Sequence, residues 1–228
     1  MKRRSSLRFV YEGVEGVLFT GGALLSWPVL KHWLRNWGSH ADEREQVWAG
    51  DQLISANMPS STRAIDVAAP ASTVWQWIVQ FGLGRAGFYS YELLERVAGI
   101  PVKNVESIES SLQEVAVGDE VLLHPKAPGI PIALVEPERH LVFCETRPEK
   151  LRESQPEIAR SWSFYVAPVT DDSCRLLVRG CFEQTRKRSL TQRAAFALEQ
   201  PIDFAMEVRM LRTVRRLAEA QGVAVWRG

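Results

Sequence analysis

The stretch 62–99 constrains the fold of this chain more than any other, because it has the pattern of one strand followed by two short helices. Residues 62–67 alternate in side-chain character, which predicts a half-buried strand, and Pro70 takes the chain out of that strand. Apolar residues at helical spacing predict a first helix over about 72–81, after which three glycines interrupt the spacing. A second helix is predicted over about 89–98. This order, rich in aromatic residues, predicts a fold and an apolar cavity better than it predicts a reaction.

Beyond these helices the chain has the pattern of strands, followed by one long helix. The predicted strands are 119–123, 130–136, 139–146, 160–167 and 174–183. Short connections at 137–138 and 170–173 predict antiparallel hairpins. The charged segments 147–158 and 184–193 are predicted to be solvated loops. A C-terminal helix with a broad apolar stripe is predicted to begin at 198 or 201 and to end near 221.

Two blocks of this sequence resemble a known superfamily. They are APASTVWQWIVQFGLGRAGFYSYELLE at 69–95 and PIDFAMEVRMLRTVRRLAE at 201–219, with VGDEV at 117–121 between them. The order of these blocks resembles the SRPBCC superfamily, whose helix-grip domains include START-like and polyketide cyclase/dehydrase-like proteins. The resemblance implies an α+β fold in which about seven antiparallel strands curve around the C-terminal helix, with an apolar cavity between them. It implies no single chemistry, since such folds include carriers, binders, cyclases and chaperone co-factors.

Length and composition support one domain with an extension. The 228 residues, of which 46% are hydrophobic, suffice for a substantial core. We divide the chain into an apolar N-terminal helix at 1–41, a linker at 42–61, the SRPBCC-like domain at 62–222 and a tail at 223–228. The strands and the long helix supply a complete core, so we expect the chain from about Asp42 onward to fold without residues 1–41.

Charge and motif content argue against several classes of function. The 28 basic and 27 acidic residues nearly balance, so we expect no nucleic-acid partner. Three cysteines without CxxC spacing are predicted to be reduced core thiols. Histidine and cysteine pairs with metal-ligand spacing are absent from the sequence, as are nucleotide-binding glycine motifs. We therefore expect neither a metal nor a cofactor.

Residues 1–41 have the composition of a segment that contacts a membrane. A basic start precedes the apolar run 16–30, and a border of basic and aromatic residues follows at 31–37. The run is short for a spanning helix, and extending it backwards includes Glu12 and Glu15. Three interpretations stay open: a single membrane anchor, an amphipathic helix on a membrane or on its own domain, and a cleaved secretory peptide. We expect membrane association through residues 9–37, with a cytoplasmic protein as the alternative.

The predicted cavity has aromatic and methionine walls. Trp77 is favoured over Trp75 because it shares a helix face with other apolar residues. The predicted ligand-binding residues are Trp77, Phe81, Phe88, Tyr91, Trp162, Phe164, Met206 and Met210. Arg85 and Tyr91 are weak catalytic candidates, since they could polarise a carbonyl if both pointed inward. Other polar side chains expected near the cavity are Tyr89, Glu92, Glu95, Ser163, Asp203 and Glu207.

These features predict a domain that binds or carries a hydrophobic small molecule, such as a lipid, an isoprenoid or a polyketide-like compound, without converting it. A cyclase or dehydratase that uses the same cavity is the alternative enzyme hypothesis. A third hypothesis is a protein-interaction domain in which the cavity has collapsed.

Overall fold

A computed structural model describes residues 6–53, 60–145, 160–182 and 190–225, and these residues form five helices and six strands. The helices are α1 (Ser6–Arg35), α2 (Ala41–Glu45), α3 (Ala71–Ile78), α4 (Glu92–Val97) and α5 (Leu190–Val225). The strands are β1 (Ser60–Val67), β2 (Glu120–Val121), β3 (Ile130–Glu136), β4 (His140–Glu145), β5 (Arg160–Thr170) and β6 (Ser173–Phe182). Short 3-10 turns lie at Asp51–Leu53 and Ser110–Leu112.

The strands form one antiparallel sheet in the order β1-β6-β5-β4-β3-β2. Both hairpins predicted from short connections are present, between β3 and β4 and between β5 and β6. Alternation along β5 places Phe164 and Val166 in the main core, as the period of two requires. The described residues hold six strands in this sheet, one fewer than the resemblance implied. With the long C-terminal helix, this is the helix-grip α+β fold that the sequence predicts.

Helix α5 shares this core with the sheet through a continuous apolar stripe. Leu211, Val214 and Ala218 are fully buried against it. The helix begins at Leu190, so the prediction of a start at 198 or 201, and of a loop that includes 190–193, was wrong. Pro201, one of the two predicted starts, lies inside the helix. The part of the predicted loop at 184–189 lies outside the described residues.

The glycine-rich connection between α3 and α4 has left-handed backbone that ends one helix and delays the next. Gly82, Gly84 and Gly87 all have positive φ angles, and α3 ends at Ile78, earlier than predicted. Tyr89 also has a positive φ, of 56°, so the second helix cannot begin there and starts at Glu92. The loop therefore holds aromatic side chains in fixed positions without helical structure.

The N-terminal region packs on the domain. Ala23 and Leu34 of α1 are buried with Phe204 and Val208 of α5, and α1 also contacts α4 and β1. Residues 42–53, which lie in the predicted linker at 42–61, include most of α2 and the 3-10 turn Asp51–Leu53. In α2, Glu43 forms an ion pair with Arg175 of β6. Whether the domain folds without residues 1–41 stays a prediction.

All three cysteines have the core position that the sequence predicts. Cys144, Cys174 and Cys181 are buried and free. Burial raises the pKa of the Cys174 thiol to about 11, which keeps it protonated at neutral pH.

Candidate ligand cavity

A cavity of about 370 Å³ lies between α5, α4 and the sheet. Its volume is within the range of small-molecule sites. The apolar part of its wall includes Phe88, Leu94, Leu123, Ile130, Phe143, Trp162, Met206 and Met210. The polar part includes Ser90, Glu95, Arg160, Ser161, Asp203 and Glu207. The cavity therefore combines a broad apolar surface with a few polar groups that could orient a ligand.

Four of the predicted ligand-binding residues come together in this wall. Phe88 belongs to the loop before α4, Trp162 lies on β5, and Met206 and Met210 are one turn apart on α5. Their side chains approach the same space from three different parts of the chain. Their role in ligand binding stays a prediction.

Three other predicted residues pack behind this wall. Trp77 is buried and donates a hydrogen bond from Nε1 to Gln221 Oε1 at 3.1 Å. Phe81 and Phe164 are buried with their ring centroids 5.0 Å apart, and the Phe164 ring lies 4.6 Å from that of Trp162. Phe164 packs against Trp162 in the core, and none of these three residues lines the cavity.

Tyr91 faces the N-terminal helix instead of the cavity. Its hydroxyl donates a hydrogen bond to Glu15 Oε1 at 3.4 Å, and the Arg209 guanidinium lies 5.2 Å from its ring centroid. A Cβ at Gly16 would lie 2.9 Å from this ring, so glycine permits the close approach of α1. Burial raises the pKa of Tyr91 to about 12. Its phenol therefore stays protonated at neutral pH.

Arg85 ties two loop segments together. Its Nη2 donates to the carbonyl oxygens of Val79 and Leu112, both at 3.1 Å. Burial lowers its pKa, although the guanidinium keeps its charge at any ordinary pH. Arg85 and Tyr91 therefore do not meet at the cavity, and the geometry in which both could polarise one carbonyl does not occur in the structure.

Asn104, which the sequence analysis did not single out, positions the loop that carries Phe88. Its Oδ1 accepts hydrogen bonds from the backbone N–H groups of Phe88 at 3.1 Å and Tyr89 at 2.7 Å, and its Nδ2 donates to the Ser90 carbonyl oxygen at 2.9 Å. A Cβ at Gly87 would lie 2.5 Å from Asn104 Oδ1. This network fixes the aromatic loop that precedes α4. In the sequence, only the glycines of this loop indicated that its backbone is unusual.

Glu207, a polar residue of the cavity wall, forms a buried ion pair. Arg63 of β1 is only 2% exposed, and its Nη1 is paired with Glu207 Oε2. Trp162 Nε1 donates to the other Glu207 oxygen at 3.1 Å, and Arg63 Nε donates to the Leu34 carbonyl oxygen at 3.1 Å. These contacts join β1, β5, α5 and the end of α1. A sequence signal was present, because Arg63 lies on the same strand face as the buried Val67 and so needed a partner.

Two further carboxyl groups face the cavity with raised pKa values. Burial is the largest cause for Asp203, and the nearby Glu199 and Glu207 add to it, so that the pKa rises to about 8. Burial also raises the pKa of Glu95, whose Oε1 accepts a hydrogen bond from Ser90 Oγ at 2.7 Å. The cavity therefore contains carboxyl groups that hold protons more tightly than usual.

The outer face of α1 is a second candidate surface. Leu7, Val10, Tyr11, Val14, Val17, Leu18, Leu25, Val29 and Trp33 are all exposed and form one stripe along the helix. Other residues of α1 contact the domain, where Arg209 forms ion pairs with Glu12 at 3.1 Å and Glu15 at 3.4 Å. By length and composition alone, 7–35 could cross a bilayer. Within the described residues, no cluster of three or more His, Cys, Asp or Glu side chains is placed to hold a metal ion.

Comparison with known proteins finds matches only among solved structures, since no family model and no curated protein matches the chain. The Zhui aromatase/cyclase from Streptomyces sp. R1128 is 18% identical, with a TM-score of 0.41 over 72% of this chain and 94% of that one. The Polyketide_cyc-like protein Cgl2372 from Corynebacterium glutamicum is 11% identical, with a TM-score of 0.39 over 75% and 96%. A START superfamily protein from Mycobacterium smegmatis is 13% identical, with a TM-score of 0.35 over 69% and 98%. The names of these proteins are those of the START-like and polyketide cyclase-like groups that the sequence resembles. Because all three TM-scores are below 0.5, these similarities support no statement about a ligand or a reaction.

Proposed function

We propose that this protein binds a hydrophobic small molecule in the cavity between α5 and the sheet, and that it does so without converting the molecule. The observation that carries the proposal is the wall formed by Phe88, Trp162, Met206 and Met210 around about 370 Å³. Burying on the order of 250 Å² of apolar ligand surface there would contribute roughly 6 kcal/mol before the cost of immobilising the ligand. That contribution is large enough for binding without any covalent step.

A cyclase or dehydratase in the same cavity is the second candidate. It is favoured by Asp203 and Glu207, because a carboxylic acid one turn from a carboxylate is an arrangement suited to proton transfer. Arg85 and Tyr91 add nothing to this candidate, since both point elsewhere. The open volume gives no support to a protein-interaction domain with a collapsed cavity.

We further propose that α1 lies on a membrane surface with its outer stripe in the lipid. Leu25 and Val29 in this stripe are 86% and 84% exposed, which is costly for apolar side chains in water. Glu12 and Glu15 of the same helix are paired with Arg209 of the domain. A spanning helix would have to break these ion pairs and place both carboxylates in or near the bilayer. The structure therefore favours a helix that stays on the domain and lies parallel to the membrane.

The binding part of the proposal is tested with the neutral fluorescent dye N-phenyl-1-naphthylamine. The dye should bind the full chain, and a double variant with Met206→Trp and Met210→Trp should bind at least about ten-fold more weakly because the larger rings occupy the cavity. The matched control carries Met206→Leu and Met210→Leu, which keep the volume nearly constant. Equal dye binding by both double variants would place the dye outside the cavity and contradict the proposal.

A further inference from the structure

We propose that Asp203 is a hydrogen-bond donor for the carbonyl oxygen of a neutral ligand, so that the cavity takes ketone- or ester-like amphiphiles and rejects fatty acids. This inference rests on the proposed binding function and names the class of ligand. It concerns a residue that lies in the cavity wall on α5, one helical turn before Glu207.

Asp203 and Glu207 differ in the partners that the protein gives them. Glu207 accepts from Arg63 and from Trp162, so both of its oxygens already have donors. Asp203 faces the same cavity, but no described side chain or backbone group forms a hydrogen bond or an ion pair with it. The Asp203 carboxyl group is therefore open to the cavity, where a ligand can form a hydrogen bond with it.

Most of the charged groups near Asp203 in the cavity are acidic. Glu199 and Glu207 lie one turn away on either side along α5, and Glu95 enters the cavity from α4. Among the described residues, the cations close to Asp203 are Arg63 of β1 and Arg160 of β5, which are paired with Glu207 and Glu199. Asp203 is therefore surrounded by acidic groups whose charges disfavour its ionised form.

The pKa of Asp203, raised to about 8 by burial and by these neighbours, agrees with this arrangement. At neutral pH the group is roughly nine-tenths protonated and can donate its O–H. A ligand carbonyl can accept that hydrogen bond, whereas a fatty-acid carboxylate would add a negative charge beside three acidic side chains. A ligand amine would instead favour the ionised form of Asp203, and this alternative is separated by experiment.

The experiment measures displacement of N-phenyl-1-naphthylamine by three chains of eleven carbons: 2-undecanone, undecanoic acid and undecylamine. At about pH 6.5 the ketone should displace the dye at least about ten-fold more effectively than the acid or the amine. At about pH 9.5 the ketone should bind roughly thirty-fold more weakly, because Asp203 has lost its proton. Ketone binding weakens as pH rises because it requires the protonated Asp203 carboxyl group.

Two variants separate a specific role from a structural one. Asp203→Asn keeps a donor but cannot titrate, so ketone binding should persist at both pH values. Asp203→Leu should keep dye binding but lose the preference for the ketone over the acid by about ten-fold. Stronger displacement by undecanoic acid or undecylamine, or an unchanged pH response in Asp203→Asn, would overturn the inference alone. A full chain that fails to bind the dye would overturn the proposed function and this inference with it.

Discussion

Removing the Glu207 carboxylate tests how much the buried Arg63–Glu207 ion pair stabilises the domain. The Arg63 side chain is 2% exposed and that of Glu207 is 15% exposed, so the pair lies well away from bulk water. The variant Glu207→Ala leaves the Arg63 charge buried without its carboxylate and also removes the acceptor of Trp162 Nε1. Loss of one member of a buried pair costs about 3–5 kcal/mol, so we expect the free energy of unfolding to fall by that amount.

A double variant distinguishes the ion pair from simple loss of packing. Arg63→Met combined with Glu207→Leu removes both charges and keeps apolar volume, so its free energy of unfolding should lie within about 1–2 kcal/mol of the unmodified chain. Glu207→Gln keeps an acceptor oxygen and should have an intermediate effect. Urea unfolding followed by tryptophan fluorescence measures all of these variants. The reasoning is refuted if Glu207→Ala costs less than about 1 kcal/mol, or if the double variant is as unstable as the single one.

Three further outcomes are expected. A chain that begins at Asp42 should still melt cooperatively without detergent. Its melting temperature should be lower, because α1 no longer covers Phe204 and Val208. An insoluble product would show that α1 belongs to the core. Leu25→Glu should release the full chain from neutral phospholipid vesicles in a flotation assay. Val169→Glu, a control at an exposed position outside α1, should leave the chain bound. Equal behaviour of the two variants would contradict the membrane proposal. The Asp203 pKa of about 8 exceeds its unfolded value of about 4, so the free energy of unfolding should decline as pH rises from about 4 to about 8. The urea midpoint of Asp203→Asn should not show this decline. Identical pH profiles for the variant and the unmodified chain would contradict the prediction.

Local patterns explain which parts of the fold were predictable. Alternation identified the core positions of Phe164 and Val166, and short connections identified both hairpins. The start of α5 was predicted too late because proline is more common in the first turn of a helix than in its interior. The segment before Pro201 is nevertheless helical. Proline in a helix interior is unfavourable locally, and tertiary packing of the long helix outweighs that cost.

The cavity was harder to predict because core and cavity walls have the same residue types. Trp162 and Phe164 are two positions apart on one face of β5, yet only Trp162 borders the cavity. Where the cavity ends depends on the height of α5 above the sheet, which no local pattern specifies. Tyr91 was misjudged for a related reason, since its partner Glu15 is 76 positions away in the sequence.

The central claim is that the cavity holds a hydrophobic small molecule, and native mass spectrometry of the full chain purified without detergent tests it most directly. The account predicts an added mass of a small apolar compound on the unmodified protein and on the Met206→Leu, Met210→Leu control. The Met206→Trp, Met210→Trp variant should carry little or none of it, because its side chains fill the space next to Trp162. The same added mass on all three proteins, or none on the unmodified chain even after incubation with 2-undecanone, would contradict the account.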